Sequence, residues 1–138
     1  MILVVFTRRS ATATASLRTD WPAAVDRFAR AVYRYSDRIE MIPDRALRAE
    51  LRELGTVLND TLAEVRRARY RRTARAAGDG AGVRAVLRAG TLCAQATEAA
   101  VAAADASRGR DPVELDRQRE AVRLLVGAVR DLTGDQER

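Results

Sequence analysis

The chain has 138 residues, 32% charged and 47% hydrophobic, a composition typical of one soluble globular domain with a real core. It contains no histidine and one cysteine, so Ser-His pairs, Cys-His pairs, imidazole metal sites and intramolecular disulfides are excluded. All 25 basic residues are arginine, which, together with the abundant alanine, indicates GC-rich bacterial coding.

The net charge of +6 is confined to one short stretch. Residues 66–75, "RRARYRRTAR", contain six arginines and no acid. The rest of the chain has 19 arginines and 19 acidic residues, so its net charge is zero. The basicity is therefore local, and this stretch is the first candidate for a binding surface.

Residues 1–19 are predicted to form an N-terminal arm. They are rich in Ser, Thr and Ala, and the short apolar run "MILVVF" is followed, not preceded, by arginines, unlike a signal peptide. No stretch of the chain has the apolar length of a membrane span. We therefore expect a soluble cytoplasmic protein that does not contact a membrane.

The first two helices are predicted at residues 20–42 and 44–76. The first has Asp20 as its N-cap and carries a sustained apolar heptad. The heptad residues are Trp21, Val25, Phe28, Val32, Tyr35, Ile39 and Ile42. Pro43 ends this helix, and the second helix carries a leucine stripe that stops at Val65. Beyond that point the same face would present arginines, which cannot lie unpaired in an apolar core.

Two further helices are predicted at residues 83–107 and 112–133. A glycine-rich loop at residues 76–82 precedes the third helix. Asp111 and Glu114 provide a capping box for the fourth. The chain thus contains four strong helical segments separated by clear turn signals.

The predicted architecture is an all-α, up-and-down four-helix bundle with a long second helix. It forms a single domain at residues 20–134, followed by a tail at residues 135–138. Beyond the first few residues, no segment shows the alternation of period two that strands require. The sequence therefore predicts no β-sheet.

The third predicted helix is apolar on two opposite sides, and such a helix usually needs covering on both. One side, predicted to face the core, carries Val83, Val86, Leu87, Gly90, Ala94, Thr97 and Val101. The other side is predicted to pack against a second copy of the chain. It carries Ala85, Ala89, Leu92, Ala96, Ala99 and Ala103, with Leu124 on the fourth helix beside it. A homo-oligomer is expected on this basis; the alternative is that alanine, the best helix former, simply tolerates water here.

Residues suited to catalysis or cofactor binding are sparse. Cys93 lies among small residues in mid-helix and is predicted to be a buried structural thiol. Glu50 and Glu53 are predicted to be solvated on the outer side of the second helix. We therefore expect a non-enzymatic protein with neither metal nor cofactor. A small-ligand cavity near Cys93, Thr97 and Gln118 is the alternative that remains.

The candidate site for an anionic partner is the arginine-rich end of the second helix. Its residues are Arg66, Arg67, Arg69, Tyr70, Arg71, Arg72 and Arg75. Guanidinium groups match phosphate oxygens in geometry and charge, and Tyr70 offers a surface on which a base can stack. A secondary basic stripe on the first helix comprises Arg27, Arg30, Arg34 and Arg38.

Three interpretations of the arginine run compete. Basic residues near a helix C-terminus complement the helix dipole, although one or two would suffice. The run is also suited to ion pairs with an acidic protein partner, or to nucleic-acid phosphates. We favour an accessory or regulatory interaction protein that binds an anionic partner, with nucleic acid first. The alternative is an oligomerising helical scaffold or protein-protein interaction module with no nucleic-acid role.

Overall fold

A computed structural model of the protein describes residues 20–73 and 80–134, without the side chains of residues 69–73. These residues form four α-helices and no strand. The helices are α1 (Trp21–Glu40), α2 (Arg45–Thr73), α3 (Gly80–Arg108) and α4 (Pro112–Gly134). The predicted all-α class is therefore confirmed for the described residues. The predicted arm at 1–19 and tail at 135–138 lie outside them.

The second helix is long, as predicted, but it is not the only long helix. Both α2 and α3 have 29 residues, because α3 begins at Gly80 instead of Val83. Gly82, predicted to be part of a loop, is helical and buried. Its burial against the bundle outweighs the low helix propensity of glycine, which costs about 1 kcal/mol relative to alanine.

Aspartate side chains cap the starts of three helices. The Oδ1 atoms of Asp20, Asp44 and Asp111 accept hydrogen bonds from the backbone N–H groups of Ala23, Leu47 and Glu114, at 3.2, 3.1 and 3.2 Å. The predicted caps Asp20 and Asp111 are therefore confirmed. The second half of the predicted capping box is absent among the described contacts. The Glu114 carboxylate instead accepts a 2.7 Å hydrogen bond from Gln118 Nε2, and the Asp111 N–H donates to the Ala106 carbonyl.

The four helices pack in a ring whose order differs from their order in the chain. Helices α1 and α4 each pack against both α2 and α3, whereas α2 and α3 scarcely touch and lie on a diagonal. Ser107 near the end of α3 donates a 2.7 Å hydrogen bond to Asp44 Oδ2, just before the start of α2. The α1–α2 and α3–α4 turns therefore share one end of the bundle, the turn end. The C-terminus of α2 lies at the opposite end, the arginine end.

The core combines large side chains from α1 with small side chains from α3. Phe28, Val32, Tyr35 and Ile39 of α1 are buried, and α3 supplies mostly alanines. A Cβ atom placed on Gly90 would lie 3.7 Å from the Cα atom of Phe28. The small residues of α3 thus allow its backbone to approach α1 closely.

The alanine-rich side of α3 lies inside the chain, which corrects the predicted self-association face. Its alanines, each at most 8% exposed, are Ala85, Ala89, Ala96, Ala99 and Ala103. Leu92 is half-buried and packs against the same core. These side chains are already covered within one copy of the chain, so they are not available to a second copy.

The reason for this error is that α3 has two neighbouring helices. Gly90 faces α1, and α3 also packs against α4, so more than one side of this helix is buried within the chain. On the face predicted to be the core, Ala94 and Val101 are exposed. The buried surface of α3 is therefore one broad arc between the two predicted faces.

Candidate nucleic-acid interface

Four arginines form an exposed stripe along α1, about one turn apart. They are Arg27, Arg30, Arg34 and Arg38. Within the described part of the chain, none of them makes an ion pair or a side-chain hydrogen bond. Each guanidinium group therefore keeps its five N–H donors for solvent or a partner.

Arg66 joins the end of α2 to this stripe. Its Nη2 atom donates a 3.1 Å hydrogen bond to the hydroxyl oxygen of Tyr33 on α1. Tyr33 stands one turn after Arg30 and directly before Arg34. The two basic regions predicted separately from the sequence are thus continuous across the α1–α2 groove, and we call Arg30, Tyr33, Arg34, Arg66 and Arg67 the arginine–tyrosine surface.

The rest of the predicted site is described only in part. Arg67 is exposed and makes no ion pair among the described residues. The backbone of Arg69, Tyr70, Arg71 and Arg72 continues α2 to Thr73. Arg75 lies outside the described residues.

Several arginines of α2 and α4 are, by contrast, paired with acids. Arg52 donates two hydrogen bonds of 2.9 and 2.8 Å to the Glu40 carboxylate. These hydrogen bonds and the positive charge of Arg52 lower the pKa of Glu40. Glu50 bridges to Arg119 Nε at 2.8 Å and to Arg123 Nη2 at 2.5 Å.

Other exposed arginines, such as Arg45 and Arg110, also lack ion pairs among the described residues. The feature specific to α1 and the end of α2 is therefore that several such arginines lie together on adjoining helices.

Glu50 corrects the prediction of a solvated carboxylate. Its side chain is only 22% exposed in the groove between α2 and α4. Partial burial raises the pKa of this carboxyl group. The hydrogen bonds and positive charges of Arg119 and Arg123 lower the pKa by more than burial raises it, so the pKa of Glu50 is below its usual value. Glu50 is thus an ion-pair hub between two helices; Glu53 is exposed, as predicted.

The charge balance of this region remains positive when its acids are counted. The segments 26–38 and 60–67 contain six arginines and four acids. The acids, all exposed and outside any ion pair among the described residues, are Asp26, Asp37, Asp60 and Glu64. Residues 68–75 add four arginines and no acid. The sum is +6, so the excess is concentrated toward the end of α2.

The reactive groups of the core are poorly placed for chemistry with a solvent-borne substrate. Cys93 is fully buried, and burial raises its pKa to about 12. Burial, with smaller contributions from Cys93 and Glu50, also raises the pKa of the Tyr35 hydroxyl. Thr97 donates a 3.1 Å hydrogen bond to the Cys93 carbonyl. Across the described ranges, no cluster of acids and cysteine has the geometry to hold a metal ion.

Tyr33 is the residue that the sequence analysis missed. It lies one position after the heptad residue Val32, so its exposure agrees with the heptad. The antiparallel register of α1 and α2 places Tyr35 against Leu51, so the residue opposite Tyr33 is Glu53 and not Arg66. The Arg66 and Tyr33 side chains meet only by extending along the groove, and no pattern in the sequence indicates this contact.

None of the described helices combines the length and apolar character needed to cross a lipid bilayer. No protein-family model, curated protein or solved structure matches the chain. A functional interpretation therefore depends on the geometry of the chain's own residues.

Proposed function

We propose that the protein is a non-enzymatic accessory or regulatory factor that binds nucleic acid through the arginine-rich end of α2 and the adjoining stripe of α1. The observation that carries the proposal is that Arg30, Arg34 and Arg67 form no ion pair with any described residue, and that they lie beside Arg66, which is bonded to Tyr33. No carboxylate of the described residues forms an ion pair with these arginines. A polyanion would supply the missing charge.

Nucleic acid is favoured over the two competing interpretations by the extent of the surface. A helix dipole favours cations only within the last turn of a helix, whereas Arg27, Arg30 and Arg34 lie before the last turn of α1. An acidic protein would be attracted equally by charge. The planar fork of arginine, however, is especially suited to repeated phosphate groups, and a backbone of regularly spaced phosphates matches arginines repeated at each turn.

The proposal also includes the cytoplasm as location and an up-and-down topology for the bundle. A cytoplasmic location would give access to nucleic acid and keep Cys93 reduced. The contact between Ser107 and Asp44 supports an antiparallel course of α2 and α3. Both features are compatible with the described fold and are part of the proposal.

Charge reversal with a matched control tests this function. The test variant carries Arg66→Glu and Arg67→Glu. The control carries Arg45→Glu and Arg110→Glu, two exposed arginines at the turn end that also lack ion pairs among the described residues. Both variants lower the net charge equally, so only the location differs.

We expect the test variant to lose at least about tenfold in affinity for generic DNA or RNA, measured by fluorescence anisotropy at about 50 mM salt. The control variant should lose less than about threefold. Reversing Arg69, Arg71 and Arg72 to Glu should abolish binding and leave the helix content unchanged. Equal losses in the test and control variants would mean that only net charge matters, and the proposed site would be wrong.

A second candidate function is self-association as a helical scaffold, favoured by Leu124. This side chain is 66% exposed on α4, and a Cβ atom on nearby Gly127 would meet no other atom within 4 Å. An exposed leucine beside open space offers an apolar contact to a second copy. Light scattering at micromolar concentration tests this candidate: the mass of a single chain would rule it out.

A further inference from the structure

Tyr33 is unusual among the aromatic residues of the protein. It is 48% exposed, whereas Phe28 and Tyr35 are buried and Trp21 is half-buried. It is thus the one exposed aromatic side chain among those that the structure describes. Its partial exposure leaves part of the aromatic ring accessible to a planar ligand.

Three arginines that form no ion pair with any described residue lie near Tyr33. Arg30 lies one turn earlier on the same helix, a spacing that places side chains side by side, and Arg34 follows directly. Arg66 holds the hydroxyl group from the neighbouring helix. This hydrogen bond uses one of the five N–H donors of Arg66, so the others remain available to phosphate oxygens.

The Arg66 contact also restricts the motion of the tyrosine before any ligand binds. A side chain that is already held in place loses less conformational entropy when a ligand packs against it. A pre-positioned aromatic ring beside arginines is the combination with which proteins bind unpaired bases. The ring stacks on a base, and the guanidinium groups neutralise the adjacent phosphates.

We infer that the arginine–tyrosine surface binds single-stranded nucleic acid, with a base stacked on Tyr33 and phosphates bound by Arg30, Arg34 and Arg66. This inference rests on the proposed nucleic-acid function and specifies its substrate. The bases of a duplex are stacked on each other and leave no free face for Tyr33. A duplex therefore contacts only the arginines, and binds more weakly.

The test compares Tyr33→Ala with Tyr33→Phe, using a labelled short oligothymidylate and a labelled mixed-sequence duplex of the same length. Tyr33→Ala removes the ring, whereas Tyr33→Phe keeps the ring and loses only the hydroxyl group. Val113→Ala, which truncates a 79% exposed side chain at the start of α4, is the control for the surface. Circular dichroism and a thermal melt verify that each variant is folded.

We expect the wild type to bind the single strand more tightly than the duplex. Tyr33→Ala should weaken single-strand binding about tenfold, the loss of one stacked base, and change duplex binding less than about twofold. Tyr33→Phe and Val113→Ala should each keep single-strand affinity within about threefold of the wild type.

The outcomes separate this inference from the proposed function. If Tyr33→Ala binds the single strand like the wild type, or loses both probes equally, Tyr33 does not stack and the inference is wrong, while nucleic-acid binding stands. Loss on Tyr70→Ala but not on Tyr33→Ala would likewise overturn it. If the wild type binds neither probe at about 50 mM salt, both the inference and the proposed function fail.

Discussion

The hydroxyl group of Tyr35 on α1 donates a 2.7 Å hydrogen bond to the backbone carbonyl of Leu51 on α2, inside the core. This contact anchors the two helices that carry the arginine–tyrosine surface. Its donor and acceptor are both shielded from water, so the loss of either partner affects folding.

Tyr35→Phe should destabilise the protein by about 1 kcal/mol, the usual net value of a buried hydrogen bond. The phenyl ring fills the same volume, so no cavity adds to the loss. Urea unfolding at neutral pH measures the change. Stability equal to that of the wild type would indicate that this hydrogen bond contributes nothing net.

Glycine-to-alanine substitutions at two helical positions should have opposite effects. At Gly127 a Cβ atom meets nothing within 4 Å, so Gly127→Ala should stabilise the protein by about 0.5–1 kcal/mol through helix propensity. At Gly55 the Cβ atom would lie 3.2 Å from Cε1 of Tyr35. That ring is buried and its hydroxyl group is bonded to Leu51, so we expect it to resist the shift of a few tenths of an ångström that the added Cβ atom requires.

Gly55→Ala should therefore destabilise the protein by about 1 kcal/mol, because overpacking costs more than the gain in helix propensity. Thermal melts of the two variants provide the comparison. A gain in stability at both positions would show that the Tyr35 ring shifts freely.

Glu50→Gln should lower the free energy of unfolding more at neutral pH than at acidic pH. The folded-state pKa of Glu50 is lowered below its ordinary value of 4.5, so its ionised form favours the folded state. That contribution is fully present above pH 4.5 and is lost as the pH falls through the lower, folded-state pKa. The difference in unfolding free energy between wild type and variant should thus be larger at pH 7 than at pH 2.5.

Urea titrations at the two pH values measure this difference, with Glu53→Gln as the control. Glu53 is exposed and has no ion pair among the described residues. A Glu50→Gln effect that is the same at both pH values would mean that the Arg119 and Arg123 contacts contribute no linked stability.

Ala96→Leu should destabilise the folded chain by about 1–3 kcal/mol, because Ala96 is fully buried and a larger side chain overpacks the core. Leu124→Ala, on the exposed side of α4, should change stability by less than about 0.5 kcal/mol. Urea unfolding compares the two. If Ala96→Leu left the stability unchanged, the alanine side of α3 would have to be exposed to solvent and not packed in the core.

The regularity of each helix decided how well its packing could be predicted from the sequence. The α1 heptad alternates large apolar and charged residues, so its buried positions from Val25 to Ile42 are confirmed. Alanine is compatible with both burial and exposure, and the many alanines of α3 left its orientation open. Only the positions of α1 and α4 around α3 resolve it, and these depend on the whole bundle.

The candidate site shows the same division between local and long-range information. The basic run and the α1 stripe are local features, and the sequence alone located both. The hydrogen bond between Arg66 and Tyr33 spans 33 positions and depends on how two helices are aligned. The ion pairs of Glu50 with Arg119 and Arg123 likewise depend on the packing of α2 against α4.

The central claim is that unpaired arginines bind a polyanion, and its most direct test is the salt dependence of binding. Affinity for generic duplex DNA should be measured by anisotropy between about 50 and 200 mM salt. If about six phosphates are neutralised, the slope of log K against log salt concentration should be near −5. A slope near zero, or no binding of either duplex or single-stranded DNA at the lowest salt concentration, would contradict the account.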